Sequence, residues 1–453
     1  MQFPRDFLWG VASSAYQVEG AATADGRGPS VWDTFCKTPG AVRDGHTGEA
    51  ACDHYHRFRE DVKLIADMGV KAYRFSVSWS RVFPGGDGAI NDKGLSFYSR
   101  LVDTLLDAGI QPWLTLFHWD YPQALQDRGG WLNASSPQWF AAYSAAVARA
   151  LGDRVGHWMT INEPQIFIGH GHRDGTHAPG LKLSTADRLK ASCNVLLAHG
   201  LSAAAIREHA PRPVQVGWAV CGRADYPATN SPQDIEAARL AFNSVTADDA
   251  WSNTFWADPA CLGRFPADAL ALFKGSMPVL TDADLRTMSP PLDFYGVNIY
   301  SGSRWKMGPE GKPQLVPQRP GHPQTAFGWP VTPECMEWAI RFLHERYKLP
   351  VYITENGLAC TDWVDLNGRV IDAQRIDFTR RYLASVGKAA ADGLCKGYFH
   401  WSILDNFEWA EGYRMRFGLV HVDFDTLVRT PKASAAWYSK VARSGSIDHS
   451  LTL

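Results

Sequence analysis

The chain has 453 residues, 45% hydrophobic and 20% charged, with 45 Lys and Arg against 47 Asp and Glu. That composition excludes a disordered or collagen-like chain, and the absence of a basic excess argues against nucleic-acid binding. Length alone allows about three domains at roughly 150 residues each, although one α/β barrel absorbs as many residues. Pro4, Arg5 and Asp6 interrupt the N-terminus where a secretory signal needs an apolar run. No stretch approaches the ~18 apolar residues of a membrane span, so no membrane partner is expected and the cytoplasm is the expected compartment. The 8 Cys are scattered without a C-x-x-C pair, which reads as reduced thiols rather than a zinc or redox motif. Eighteen Trp stand out, and their positions must decide which are packing.

In chain order, a β-rich run over Phe7–Gln17 precedes a helix over Asp53–Met68 that Gly69 stops. Ala72–Trp79 is followed by a helix over Asp92–Ala108, ended by Gly109. Gln111–His118 leads to a helix over Pro137–Leu151, and His157–Asn162 to a long helix over Ser184–Ala210. Val214–Val220, Phe294–Tyr300, Val351–Thr354 and Gly397–Trp401 complete eight β-then-α units. Such alternation predicts parallel strands joined by crossover helices, and eight units predict a single-domain (β/α)8 barrel, a TIM barrel, over residues 1–453. A doubly wound sheet is the competitor. No G-x-G-x-x-G opens the first unit and no P-loop occurs, so the barrel is preferred. The spare length lies in residues 20–52, 222–232, 301–332 and 402–430, all after strand C-termini, which predicts long loops walling a pocket on that face.

Polar residues collect at those strand ends: Gln17 and Glu19, Arg74, His118, Asn162 and Glu163, Asn298 and Tyr300, Glu355 and Asn356. Interior strand residues of a packed barrel should be mainly Val, Ile and Leu. A lone strand-end Glu is often a surface residue or a helix cap. A carboxylate, an Arg and several amides on one rim cost too much to bury unpaired, so they must satisfy one another or a ligand. Glu163 ends the fourth strand and Glu355 the seventh, nearly across the lumen. Two carboxyls facing over a small pocket suit acid/base or nucleophilic work on an acetal, and a separation of about 5 Å would favour retention.

The strings F-L-W-G-V-A-S-S-A-Y-Q-V-E-G, H-Y-H-R-F-R-E-D, Y-R-F-S-V-S-W-S-R, H-W-D-Y-P, T-I-N-E-P, H-A-P-G, Y-G-V-N-I-Y, Y-I-T-E-N-G and H-W-S-I-L-D-N-F-E-W-A-E-G-Y run from about residue 3 to 440. In this order and spacing the chain resembles family 1 glycoside hydrolases, the β-glucosidases and related retaining β-glycosidases. The resemblance implies Glu355 as nucleophile and Glu163 as acid/base, with Arg74, Asn298 and Tyr300 supporting the nucleophile. It implies that Gln17, His118, Asn162, Glu408 and Trp409 hold the sugar hydroxyls, Trp401 the sugar face and Trp329 the leaving group. Trp119 falls beside this set, although it and Trp79 read first as packing. Glu408 would repel a phosphate dianion, which favours an unphosphorylated β-glycoside as the small-molecule substrate. β-Galactosides and β-fucosides are further candidates, because Gln17 and Glu408 can accept either O4 epimer.

Family members often carry an aromatic residue after N-E-P, where this chain has Gln165. The loop that follows holds His170, His172 and His177, but no carboxylate or Cys completes a ligand set, so neither metal nor cofactor is expected. A transglycosidase using the same glycosyl-enzyme and a silent sugar-binding barrel are the alternatives. Intact Glu163 and Glu355 argue against the second. Nothing in the sequence specifies an oligomeric state.

Overall fold

The computed structural model describes residues 1–448. Eight parallel strands close in chain order: β1 (Leu8–Ala12), β2 (Ala72–Ser76), β3 (Gln111–Phe117), β4 (His157–Asn162), β5 (Gln215–Val220), β6 (Tyr295–Asn298), β7 (Val351–Asn356) and β8 (Cys395–Trp401), with β8 pairing back onto β1. Helices alternate with them, as the spacing predicts. The helix His54–Met68 ends at Gly69, whose φ of 74° only a residue without Cβ adopts freely. One boundary differs. β1 stops at Ala12 because the Ala15 N–H turns to the Ser76 hydroxyl at 2.7 Å, and Ala15–Val18 wind into a helical turn.

Side chains two apart on a strand share a face, and this decides what fills the lumen. Ala12, Ala72, Trp113, Met159, Ala219, Phe294 and Phe399 form the inner core. The Val, Ile and Leu expected there lie instead on the outer faces, packed under the helices, as with Val11, Leu114, Leu116, Val216 and Ile353. The correction has a steric origin: small residues on three strands leave room for one large plug. Trp113 stacks on His157 at 4.1 Å and meets Phe294, Tyr352 and Phe399 at 4.9–5.3 Å between ring centroids. The same parity carries Arg74 inward above Ala72, Thr115 above Trp113 and Trp401 above Phe399.

The helix Thr185–His209 is 25 residues long with a mean hydropathy of 1.3 in its most apolar window, enough to be taken for a membrane span. Two-thirds of that window is buried in this fold, as expected of a core helix packed against Ser136–Leu151. The long loops gather at the strand C-termini. Arg304–Met307 pairs on one side with Pro313–Val316 and on the other with Tyr226–Pro227, while Val420–Val422 pairs with Arg429–Pro431. Behind the β8 loop lies a balanced buried cluster. Lys432 bridges Asp405 at 2.7 Å and Asp362 at 2.6 Å, Arg416 binds Asp405 at 2.7 Å, and Arg375 pairs with Asp362 and Asp372. Each charge has a partner, so the cluster fixes the loop without leaving an ion stranded.

Candidate active site

Arg74 stands at the centre of the rim, its side chain wholly buried. It donates through Nε to the Thr115 hydroxyl at 3.1 Å and through Nη2 to Asn162 Oδ1 at 2.6 Å. Nη1 donates to the Thr354 carbonyl at 3.1 Å and to Glu355 Oε1 at 2.5 Å. The Tyr300 hydroxyl donates to Glu355 Oε2 at 2.7 Å. Thus both oxygens of Glu355 meet donors. Glu163 is served less generously: Asn298 Nδ2 donates to its Oε1 at 2.8 Å. Thr354 donates to Asn298 Oδ1 at 2.6 Å and so fixes which way that amide points.

The strands are adjusted just where the carboxyls emerge. Between β4 and β5, Met159 faces Gly217 but Asn162 faces Ala219; between β7 and β6, Ile353 faces Val297 but Glu355 faces Asn298. Each carboxyl-bearing strand therefore carries one extra residue before its polar end, a bulge that re-aims the side chains beyond it. Glu163, Trp119 and Trp409 also adopt left-handed backbone, at φ 45°, 76° and 50°. Non-glycine residues held there cost about 1–3 kcal/mol each and gather at functional sites.

Burial, and then the charge of Glu355, push the Glu163 carboxyl well above its ordinary range. Burial raises Glu355 too, but the Arg74 charge and the Tyr300 and Asn298 hydrogen bonds pull it back. The proton shared by the pair therefore rests on Glu163, and Glu355 is the ionised partner. Burial, reinforced by the Arg74 charge, holds the His118 imidazole neutral. Its Nε2 accepts from Asn162 Nδ2 at 3.2 Å, because the amide oxygen of Asn162 already faces Arg74 and Asn298.

On the β1–β8 side, Gln17 Nε2 donates to Asn406 Oδ1 at 3.1 Å, the Phe407 carbonyl at 3.0 Å and Glu408 Oε2 at 3.3 Å, while Ser14 donates to Gln17 Oε1 at 2.6 Å. Burial and the charges of Glu355 and Glu163 raise the Glu408 carboxyl. Trp401 and Trp409 line the same cavity, of about 480 Å³, with His118, Glu163 and Glu355. Trp329 faces it from the 301–332 loop, stacked on Phe327 at 4.6 Å. Trp119 is divided between the two roles considered for it: its Nε1 donates to the Asn162 carbonyl at 3.0 Å and its ring packs 4.5 Å from Trp409, with an edge on the cavity. Trp79 is core, stacked on Tyr143.

Sequence reasoning missed Phe327, Phe417, Cys221 and Trp251, which also line the cavity. They stand in irregular loops without periodicity, and only the proximity of Phe327 to Trp329 was a usable signal. The three loop histidines separate: His172 turns inward to the Phe167 carbonyl, while His170 and His177 line the cavity.

Comparison with known proteins comes down to one family. The family model described as glycosyl hydrolase family 1 matches residues 1–446. The chain is 44% identical to beta-glucosidase A of Acetivibrio thermocellus over 450 residues, covering 98% of both chains. It is 42% identical to beta-glucosidase A of Thermotoga maritima, covering 99% of both. A solved structure of the Thermotoga maritima beta-glucosidase in complex with glucoimidazole superposes with a TM-score of 0.89 over 98% of this chain and 99% of that one, at 42% identity.

Proposed function

The chain belongs to glycosyl hydrolase family 1, and from that premise we propose that it is a retaining β-glucosidase. Its substrates are β-glucosides and cello-oligosaccharides, from which it removes the terminal non-reducing β-D-glucosyl residue. In the first step the Glu355 carboxylate attacks the anomeric carbon while Glu163 gives its proton to the departing glycosidic oxygen. In the second, Glu163, now a carboxylate, takes a proton from water as that water attacks the anomeric carbon and releases Glu355.

The observation that carries this reading is the unequal treatment of two buried carboxyls in one cavity. Glu355 receives Arg74 and Tyr300, as a nucleophile that must stay ionised requires. Glu163 has one amide donor and a raised proton affinity, as an acid requires. Formation of the glycosyl ester removes the Glu355 charge, lowers the proton affinity of Glu163 and turns it into the base. Asn162, oriented by Arg74 and Asn298, serves the 2-hydroxyl, while Gln17 and Glu408 serve hydroxyls on the far edge of the ring. The carboxyl of Glu408 disfavours a phosphorylated sugar.

The test is a 2-deoxy-2-fluoro glucoside with an activated leaving group, followed by peptide mass spectrometry. Label is expected on the peptide containing Glu355. Label on another peptide, or none from an enzyme that turns over glucosides, overturns the assignment.

A further inference from the structure

The leaving-group side of the cavity is asymmetric. One wall is the Phe327–Trp329 stack. The same cavity is also lined by His170, which belongs to the wide π-type turn Gly169–Asp174. The His170 ring is anchored on two sides: its Nδ1 lies 3.1 Å from Asp174 Oδ2, and its edge meets Trp251 at 5.3 Å. Its carbonyl accepts from the N–H groups of Thr176 and His177, at 2.9 and 3.2 Å, which pins the turn. About one-third of the side chain stays exposed. With Nδ1–H donating to the carboxylate, Nε2 presents a lone pair that can take a hydroxyl hydrogen.

We infer that His170, oriented by Asp174, is a specificity-determining residue that accepts a hydrogen bond from a hydroxyl of the leaving group, so that the enzyme favours sugar over flat aryl leaving groups. The inference rests on the β-glucosidase reading. Gln165 lies away from the cavity wall, its Oε1 facing the Cys221 thiol, so this position offers the leaving group no aromatic face. A sugar stacks its C–H face on Trp329 and gives a hydroxyl to His170. An aryl group stacks equally well but leaves the imidazole nitrogen without a partner as water is displaced. Sites built around a hydroxyl discriminate in this way against analogues that lack it.

The test compares wild type with His170→Phe, which keeps a ring against Trp251 but has no nitrogen, and with His170→Leu should the phenyl disturb the turn. kcat/KM is measured on cellobiose and on 4-nitrophenyl β-glucoside. The cellobiose-to-aryl ratio is expected to fall about tenfold, with most of the loss in KM. An unchanged ratio, whether both activities fall together or neither falls, overturns the inference. A wild type that hydrolyses neither glucoside overturns the function reading, and this inference with it.

Discussion

Arg74 and Glu355 stand 281 residues apart in the chain and form an ion pair whose side chains are 0% and 5% exposed. Removing one member strands the other in a low dielectric, at a cost of about 3–5 kcal/mol. Arg74→Met is therefore expected to raise the proton affinity of Glu355, move the acid limb of the rate profile upward and lower kcat by about 10²–10³. A pH–rate profile on a nitrophenyl glucoside checks this. An acid limb that stays in place would show that Arg74 does not set the Glu355 charge.

Glu163 is expected to matter in proportion to the proton the leaving group needs. Glu163→Ala should lose about 10²–10⁴ in kcat/KM on alkyl or sugar glucosides, and far less on nitrophenyl glucosides, where the departing phenolate needs no proton. Azide should restore turnover of the glycosyl-enzyme. Equal losses across leaving groups would contradict the assignment.

The raised Glu163 carboxyl, pushed to about 8, has two consequences of definite sign. As the acid it must hold its proton, so kcat/KM on alkyl glucosides falls as pH rises through that value. For stability, the folded protein keeps a proton between the ordinary glutamate pKa of about 4.3 and the raised one, where the unfolded chain has released it. Stability therefore declines as pH rises across that window. Glu163→Gln has no such proton to lose, and its denaturation midpoint should fall less than that of wild type between pH 5 and pH 9. Identical pH dependence in the two proteins would refute the shift.

Trp113→Ala empties the plug of the lumen and is expected to cost about 3–5 kcal/mol in thermal or urea unfolding. Trp113→Phe should cost less than half of that, because a ring still meets Phe294 and Phe399. The two variants, compared with wild type in urea melts, separate cavity formation from loss of stacking.

Much of the fold was legible because short β-rich runs alternating with helices that end at glycine leave marks in short windows. Gly69 closes a helix in the sequence and in space. The rim residues were legible for a related reason: Arg74, Asn298 and Glu355 break otherwise apolar strands, and burial cannot tolerate them singly. The lumen was misread. Which alternate face turns inward depends on register around the closed barrel, and Trp113 and Phe294 could sit inside only because Ala12, Ala72 and Ala219 left them space. Phe417 and Trp251 were invisible because they reach the cavity from loops whose course no local pattern announces. The inserted residues on β4 and β7 were likewise hidden, since a bulge is defined by the partner strand.

Closure of the barrel joins the two ends of the chain at a seam, where β1 meets β8. The hydrogen bond from Gln17 to Glu408 crosses it, spanning 391 residues of sequence, and the Phe407 N–H returns to the Gln17 carbonyl at 3.1 Å. Contacts so distant along the chain carry a high loop-closure cost and slow folding. During synthesis both Glu163 and Glu355 leave the ribosome before Glu408, so the rim is completed only by residues that emerge after both carboxyls. On the roles proposed for Gln17 and Glu408, hydrolysis therefore requires that the last strand has docked on the first.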